Sequence, residues 1–238
     1  MTLRGWREAG VALVLSCHPA PALAMTVGLS AGAALSGRGA GGTLLVAATV
    51  STGQLTVGWI NDLHDADRDR LAGRRDKPVA AGRVAPGTVR AATAAMAVLV
   101  VPLSLANGTA SGLAHLAAVL SAWSYNLLLK RTVLSWLPYA VSFGLLPAFL
   151  SYGGVGFGRQ GGPPTVAMSV LAALLGIGIH VLNTLPDLPE DRANGVRHLP
   201  LLVAERVGTP ALRALGLTLT LTTATALVLT AATAGLRR

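Results

Sequence analysis

The sequence predicts an all-α bundle of membrane-spanning helices, and three observations carry that prediction. Hydrophobic residues make up 52% of the 238 and charged residues only 12%, against about 25% charged in an ordinary soluble protein. The apolar residues run in long blocks instead of stripes, each close to the roughly 20 residues that cross a hydrocarbon core. The blocks are also rich in Gly and Ala, which let helices approach closely in lipid. The whole chain, 1–238, reads as one transmembrane domain of about seven spans.

The first block, 9–37, follows Arg4 and Arg7 and contains "APALA", a pattern shared with cleaved leaders. Its apolar run continues through Met25–Ala34, so a retained span is expected. Cys17, the single cysteine, excludes an internal disulfide framework and reads as a small buried hydrophobe. Further spans are expected at 41–60, 88–107, 109–129, 133–153, 163–185 and 209–235. Between them lie two long charged segments, 61–87 and 186–208, a minimal turn at Lys130–Arg131, and "GGVGFGRQGGPP" at 153–164, whose glycines predict a flexible loop.

The net charge of +9 is explained by placement, without invoking nucleic acid. With the amino terminus cytoplasmic, fifteen of the nineteen Lys and Arg residues face inward. Only Arg38, Arg159, Arg237 and Arg238 fall outside. That is a strong positive-inside bias, which puts both charged segments at the cytoplasmic face of a multi-pass protein of the cell membrane.

Five of the ten acidic residues sit in "GWINDLHDADRDRLAGRRDKPVAAGRV", residues 58–84. On a helix continuing the second span, Asn61, Asp65 and Asp69 share a face, because residues four apart are neighbours. Asp62 flanks them. Stacked carboxylates repel, so a cation must compensate, and oxygen ligands suit Mg²⁺, which takes one or two carboxylates plus substrate phosphates. "NTLPDLPEDRANG" repeats the spacing with Asn183, Asp187 and Asp191, Glu190 lying alongside. Two such stripes at one membrane face suit two Mg²⁺ ions sharing a diphosphate. Arg74, Arg75, Lys77, Lys130 and Arg197 suit its remaining oxygens. Pro186 and Pro189 predict a break near Leu185, which makes Asn183 the weakest member. Asp67, Asp76, Glu190 and Glu205 read as solvated ion pairs. His64, His115, His180 and His198 share no metal spacing and read as structural, and His18 as packing in the first helix or as lining a pocket.

These motifs resemble the UbiA superfamily of intramembrane prenyltransferases, the group of 4-hydroxybenzoate polyprenyltransferase-like proteins. "NDLHDADRD" is similar to its NDxxDxxxD motif and "DLPED" to its DxxxD motif; "RRDKPVAAGRV", "SYNLLLKR", "DRANGVRHLP" and "HPAPALA" are similar to the flanking segments. The resemblance implies Mg²⁺-dependent transfer of a prenyl group from a polyprenyl diphosphate to an aromatic or other small acceptor. It implies Asn61, Asp62, Asp65 and Asp69 at one metal, Asp187 and Asp191 at the other, and Arg75, Lys77 and Lys130 on the diphosphate. Against the family's usual nine spans, the seven expected here are two fewer.

Leaving diphosphate is stabilised by bound metal, and the allylic cation by aromatic faces; Trp59, Tyr125, Tyr139 and Phe143 are candidates. Two other readings compete. A membrane terpene cyclase would use the same diphosphate site, but ten aromatic residues in the whole chain favour transfer. A transporter would place polar groups near the bilayer midplane, whereas these acids cluster at one face.

Overall fold

The computed structural model describes residues 3–154 and 161–235, with side chains from Arg7 onward, and among these it is built of helices and turns with no β-strand. Residues 155–160 of the glycine-rich loop, the side chain of Arg4, and Arg159, Arg237 and Arg238 lie outside the described residues. The chain packs as two compact units, Met1–Asn107 and Gly108–Arg238.

The first unit contains α1 (Leu3–Leu15), α2 (Pro19–Leu35), α3 (Ala40–His64), the short α4 (Ala66–Leu71) and α5 (Pro86–Ala106). The single span expected at 9–37 is instead two helices, α1 and α2, meeting at 65°. The cause is local. His18 takes a left-handed conformation, φ 56°, and Pro19 and Pro21 open the next helix, where proline's missing donor costs nothing. The elbow between them lies directly on α3: a methyl group at Gly58 would overlap the carbonyl of Cys17. α3 packs against both α2 and α5. Cys17, Trp59, Val79, Val84 and Val89 form one buried cluster, so the segment after α4 folds back under the helices. Near the opposite end of α3, buried Arg38 donates to Asn107 Oδ1 (2.8 Å), and Asn107 Nδ2 donates to Thr49 Oγ1 (3.0 Å).

The second unit contains α6 (Thr109–Ser124), a π-helical turn at Tyr125–Leu129, α7 (Trp136–Tyr152), α8 (Val166–Thr184), a 3₁₀ turn at Leu185–Asp187, α9 (Leu188–Ala193), α10 (Leu199–Val207) and α11 (Thr209–Thr233). α6, α7, α8 and α11 pack in that order, each on the next. Glycines set two of these contacts. A Cβ on Gly176 would stand 2.5 Å from the carbonyl oxygen of Tyr139 in α7, and one on Gly178 would stand 2.5 Å from Thr220 Oγ1 in α11. Leu188, Leu201, Ala204 and Leu212 pack the short helices α9 and α10 against α11.

Among the described residues, five helical segments are long and apolar enough to cross a membrane: Ala40–His64, Pro86–Ala106, Thr109–Leu129, Val166–Ala193 and Thr209–Thr233. The bent pair α1–α2 makes six if counted as one span. The expected segment 133–153 shortens to the 17 residues of α7 because turns closed by Ser135 N–H on Thr132 C=O and by Leu137 N–H on Leu134 C=O occupy its start.

Candidate active site

The first acidic row is built by continuing one helix into another. α3 ends at His64 and α4 begins at Ala66, and two four-residue main-chain bonds bridge the junction: Asp65 N–H donates to Asn61 C=O (3.0 Å) and Asp69 N–H to Asp65 C=O (2.8 Å). Asn61, Asp65 and Asp69 therefore do share a face, and Asn61 Nδ2 donates to Asp65 Oδ2 at 3.3 Å. Asp62, Asp65 and Asp69 are all buried, at 1%, 3% and 1% exposure. Arg68 on α4 stands 3.5 Å from Asp65 and 3.9 Å from Asp69. Asp67, off the stripe, points into solvent and pairs with Arg70 at 2.6 Å.

The segment after α4 supplies the partners. Gly73, at φ 69°, turns the chain back, so that Val79 N–H donates to Asp62 Oδ2 (3.2 Å) and Lys77 Nζ stands 3.7 Å from Asp62 Oδ1. The same Nζ lies 3.1 Å from His18 Nε2. The left-handed bend at His18 thus brings the α1–α2 elbow to the acidic row. His18 is no packing residue inside a first helix; it occupies the break. Arg74 pairs with Asp76 through two hydrogen bonds, 3.0 and 2.9 Å, which lower the Asp76 carboxyl to about 2. Burial pushes the Asp69 carboxyl up from the usual carboxylate range, with Lys77 pulling against it and Asp65 adding to it. Arg75 is exposed.

The second acidic row follows the break its prolines impose. α8 stops at Thr184, Pro186 sits in the 3₁₀ turn, and Asp187 immediately precedes α9, which carries buried Asp191. Asn183, exposed at the end of α8, donates to Tyr139 Oη at 3.3 Å. Asp191 Oδ2 lies 3.0 Å from His198 Nε2. His198, the residue before α10, is buried and accepts the Leu201 N–H on Nδ1 at 3.1 Å. Absence of metal spacing hid this contact; the visible signal was position, since Leu199-Pro200 after His198 reads as a helix start. Arg192 pairs with Glu205 at 3.5 Å and Arg197 is exposed.

Lys130 ends the π-helical turn, its N–H donating five residues back to Tyr125 C=O (2.8 Å). Tyr125, Tyr139 and Phe143 gather around buried His180: Tyr125 meets Tyr139 edge-on at 5.0 Å, Tyr139 stacks near Phe143 at 6.4 Å, and His180 lies 4.8 Å from Tyr139. Trp59 lies in the packing core of the first unit, donating its indole N–H to Leu13 C=O at 2.9 Å.

The donor set fits a hard divalent cation. Asp69 Oδ2 is a buried carboxylate oxygen that accepts no hydrogen bond among the described residues, and Asp62 Oδ1 likewise accepts none although the Lys77 ammonium stands 3.7 Å away; buried carboxylates in such a row are costly unless cations compensate. Among the described residues no three His, Cys, Asp or Glu side chains form a metal cage by themselves.

Comparison with known proteins points to one family. The model of the UbiA prenyltransferase family matches residues 20–237. The digeranylgeranylglyceryl phosphate synthase of Methanothrix thermoacetophila is 29% identical over 150 residues, which are 62% of this chain and 53% of that relative; the match thus spans about half the relative's length. Two structures of a UbiA homologue from Archaeoglobus fulgidus share the fold. The one bound to GPP and Mg²⁺ has a TM-score of 0.67 at 17% identity, covering 89% of this chain and 77% of the other. The one bound to DMAPP and Mg²⁺ has a TM-score of 0.69 at 18% identity, covering 89% and 74%.

Proposed function

This chain belongs to the UbiA prenyltransferase family, and from that premise we propose that it transfers a prenyl group from an allylic diphosphate to a small acceptor within the membrane, in the presence of Mg²⁺. The observation that carries the reading is the buried row Asp62, Asp65 and Asp69 at the end of a membrane-length helix, two of whose carboxylate oxygens stand without a hydrogen bond.

Asp62, Asp65 and Asp69, with Asn61, are the proposed oxygen ligands of one Mg²⁺, and Asp187 and Asp191 those of a second. The bound metal neutralises charge on the departing diphosphate. Lys77, held beside Asp62 by His18, presents an ammonium to the diphosphate oxygens, with Lys130, Arg75 and Arg197 as further cations. Tyr125, Tyr139 and Phe143 offer aromatic faces to the allylic cation, and the apolar helices keep water from it. The protein sits in the cell membrane with its amino terminus in the cytoplasm, as the charge distribution supports.

The test is incubation of purified protein with geranyl, farnesyl or geranylgeranyl diphosphate, Mg²⁺ and candidate acceptors, followed by mass spectrometry. A prenylated glyceryl phosphate belongs among the first acceptors, since the archaeal relative carries that product in its name; aromatic acids come next. A product with the mass of prenyl plus acceptor supports the reading. A hydrocarbon or alcohol formed without acceptor replaces transfer by cyclisation or hydrolysis. No diphosphate release with any of them overturns it.

A further inference from the structure

His198 makes two hydrogen bonds that fix its chemistry. Nδ1 accepts the Leu201 N–H at 3.1 Å, which leaves Nε2 to carry the ring's donor proton. That proton is directed at Asp191 Oδ2, 3.0 Å away. The ring is 2% exposed and Asp191 8%, so water competes little for either bond. The chain is shaped to make the contact. Gly195, at φ 67°, reverses direction after α9, and Val196 N–H closes the turn on the Asp191 carbonyl at 2.9 Å. Seven residues after the carboxylate, the imidazole returns to it.

A helix cap does not require histidine. Ser, Thr, Asp and Asn are the strong N-cap residues, because a short side-chain oxygen reaches the N–H two or three residues on. None of them also spans the distance to Asp191 with a second donor on a rigid ring. We propose that His198 is a positioning residue for the second acidic row: it caps α10 with one nitrogen and with the other locks the Asp191 carboxylate in the rotamer that receives a divalent cation. The hydrogen bond to Oδ2 stops rotation about Cβ–Cγ and so sets where Oδ1 stands. Outer groups that orient a ligand typically change metal affinity by about 10- to 100-fold when removed. The role rests on the proposed function, in which Asp191 binds Mg²⁺.

The deciding variant is His198→Ser, which keeps a capping oxygen and cannot reach Asp191. Full-length protein in nanodiscs is titrated with Mn²⁺ in the presence of inorganic pyrophosphate and followed by electron paramagnetic resonance, a readout independent of turnover. Thermal unfolding is measured in parallel. Expected results are an apparent Mn²⁺ affinity weakened about tenfold, an unchanged melting temperature, and no further loss when the same change is made in an Asp191→Ala background. Wild-type affinity in His198→Ser overturns the role, as does a loss that adds fully to that of Asp191→Ala, since a purely structural effect is additive. Failure of wild type itself to bind Mn²⁺ with pyrophosphate overturns the proposed function and this role with it; tight wild-type binding with an unaffected variant overturns this role alone.

Discussion

The carbonyl of Cys17 occupies the space that a side chain on Gly58 would fill. An elbow in the main chain is thereby seated on the helix that ends in the acidic row, and His18, the next residue, reaches Lys77. Gly58→Ala forces these backbones apart. It is expected to destabilise the protein by about 1–3 kcal/mol, read as a lower melting temperature in detergent, and to lower activity in the fraction that remains folded. A Gly58→Ala variant with wild-type melting and turnover would show that the elbow is not seated there.

Asp65→Ala and Asp187→Ala address the acids directly. Either change is expected to abolish Mg²⁺-dependent release of diphosphate while the protein still elutes as a folded species. Asp67→Ala serves as the control within the same stretch. Its side chain is 94% exposed and paired only across the surface with Arg70, so activity and melting should both stay at wild-type levels.

Burial raises the Asp69 carboxyl, and the sign of the pH effect follows. With the folded pKa above the unfolded one, the metal-free folded state binds the extra proton, so this group favours folding more as pH falls toward the ordinary carboxylate range. Mg²⁺ favours the opposite, ionised form. The Mg²⁺ concentration for half-maximal activity should therefore rise as pH is lowered, and Asp69→Asn should remove the Mg²⁺ response without lowering metal-free stability. Calorimetry with and without Mg²⁺ across that range measures both; a flat Mg²⁺ requirement contradicts the burial argument.

Lys77 stands between His18 and Asp62, with its side chain only 13% exposed and that of Asp62 1%. Removing one partner of a buried pair leaves the other charge uncompensated. Lys77→Ala is expected to cost about 3 kcal/mol of metal-free stability and to weaken pyrophosphate binding. Lys77→Arg should restore much of the stability. Chemical unfolding and a pyrophosphate titration separate the two effects.

Much of this site could be read in the sequence because its logic is periodic. Spacing by four placed Asn61, Asp65 and Asp69 on one face, and main-chain bonds link Asn61 to Asp65 and Asp65 to Asp69 although α3 ends at His64. The prolines announced the stop after Thr184. Asp67, Asp76 and Glu205, read as solvated ion pairs, do pair at the surface, with Arg70, Arg74 and Arg192. What the sequence hid are contacts set by tertiary packing. A lone apolar run from 9 to 37 gives no sign that His18 bends left-handed, and nothing in composition tells that Trp59 donates to Leu13 while the tyrosines gather at His180. His198 has no metal spacing to mark it, because its chemistry depends on a carboxylate seven residues earlier.

The π-helical turn at Tyr125–Leu129 ends α6 and winds one extra residue into its last turn before Lys130. Winding the same residues at ordinary helical pitch would swing Lys130 by about 100° around the axis. The ammonium would keep its charge while facing another way. One wide turn is thus enough to aim a cation, with no change in which side chain carries it.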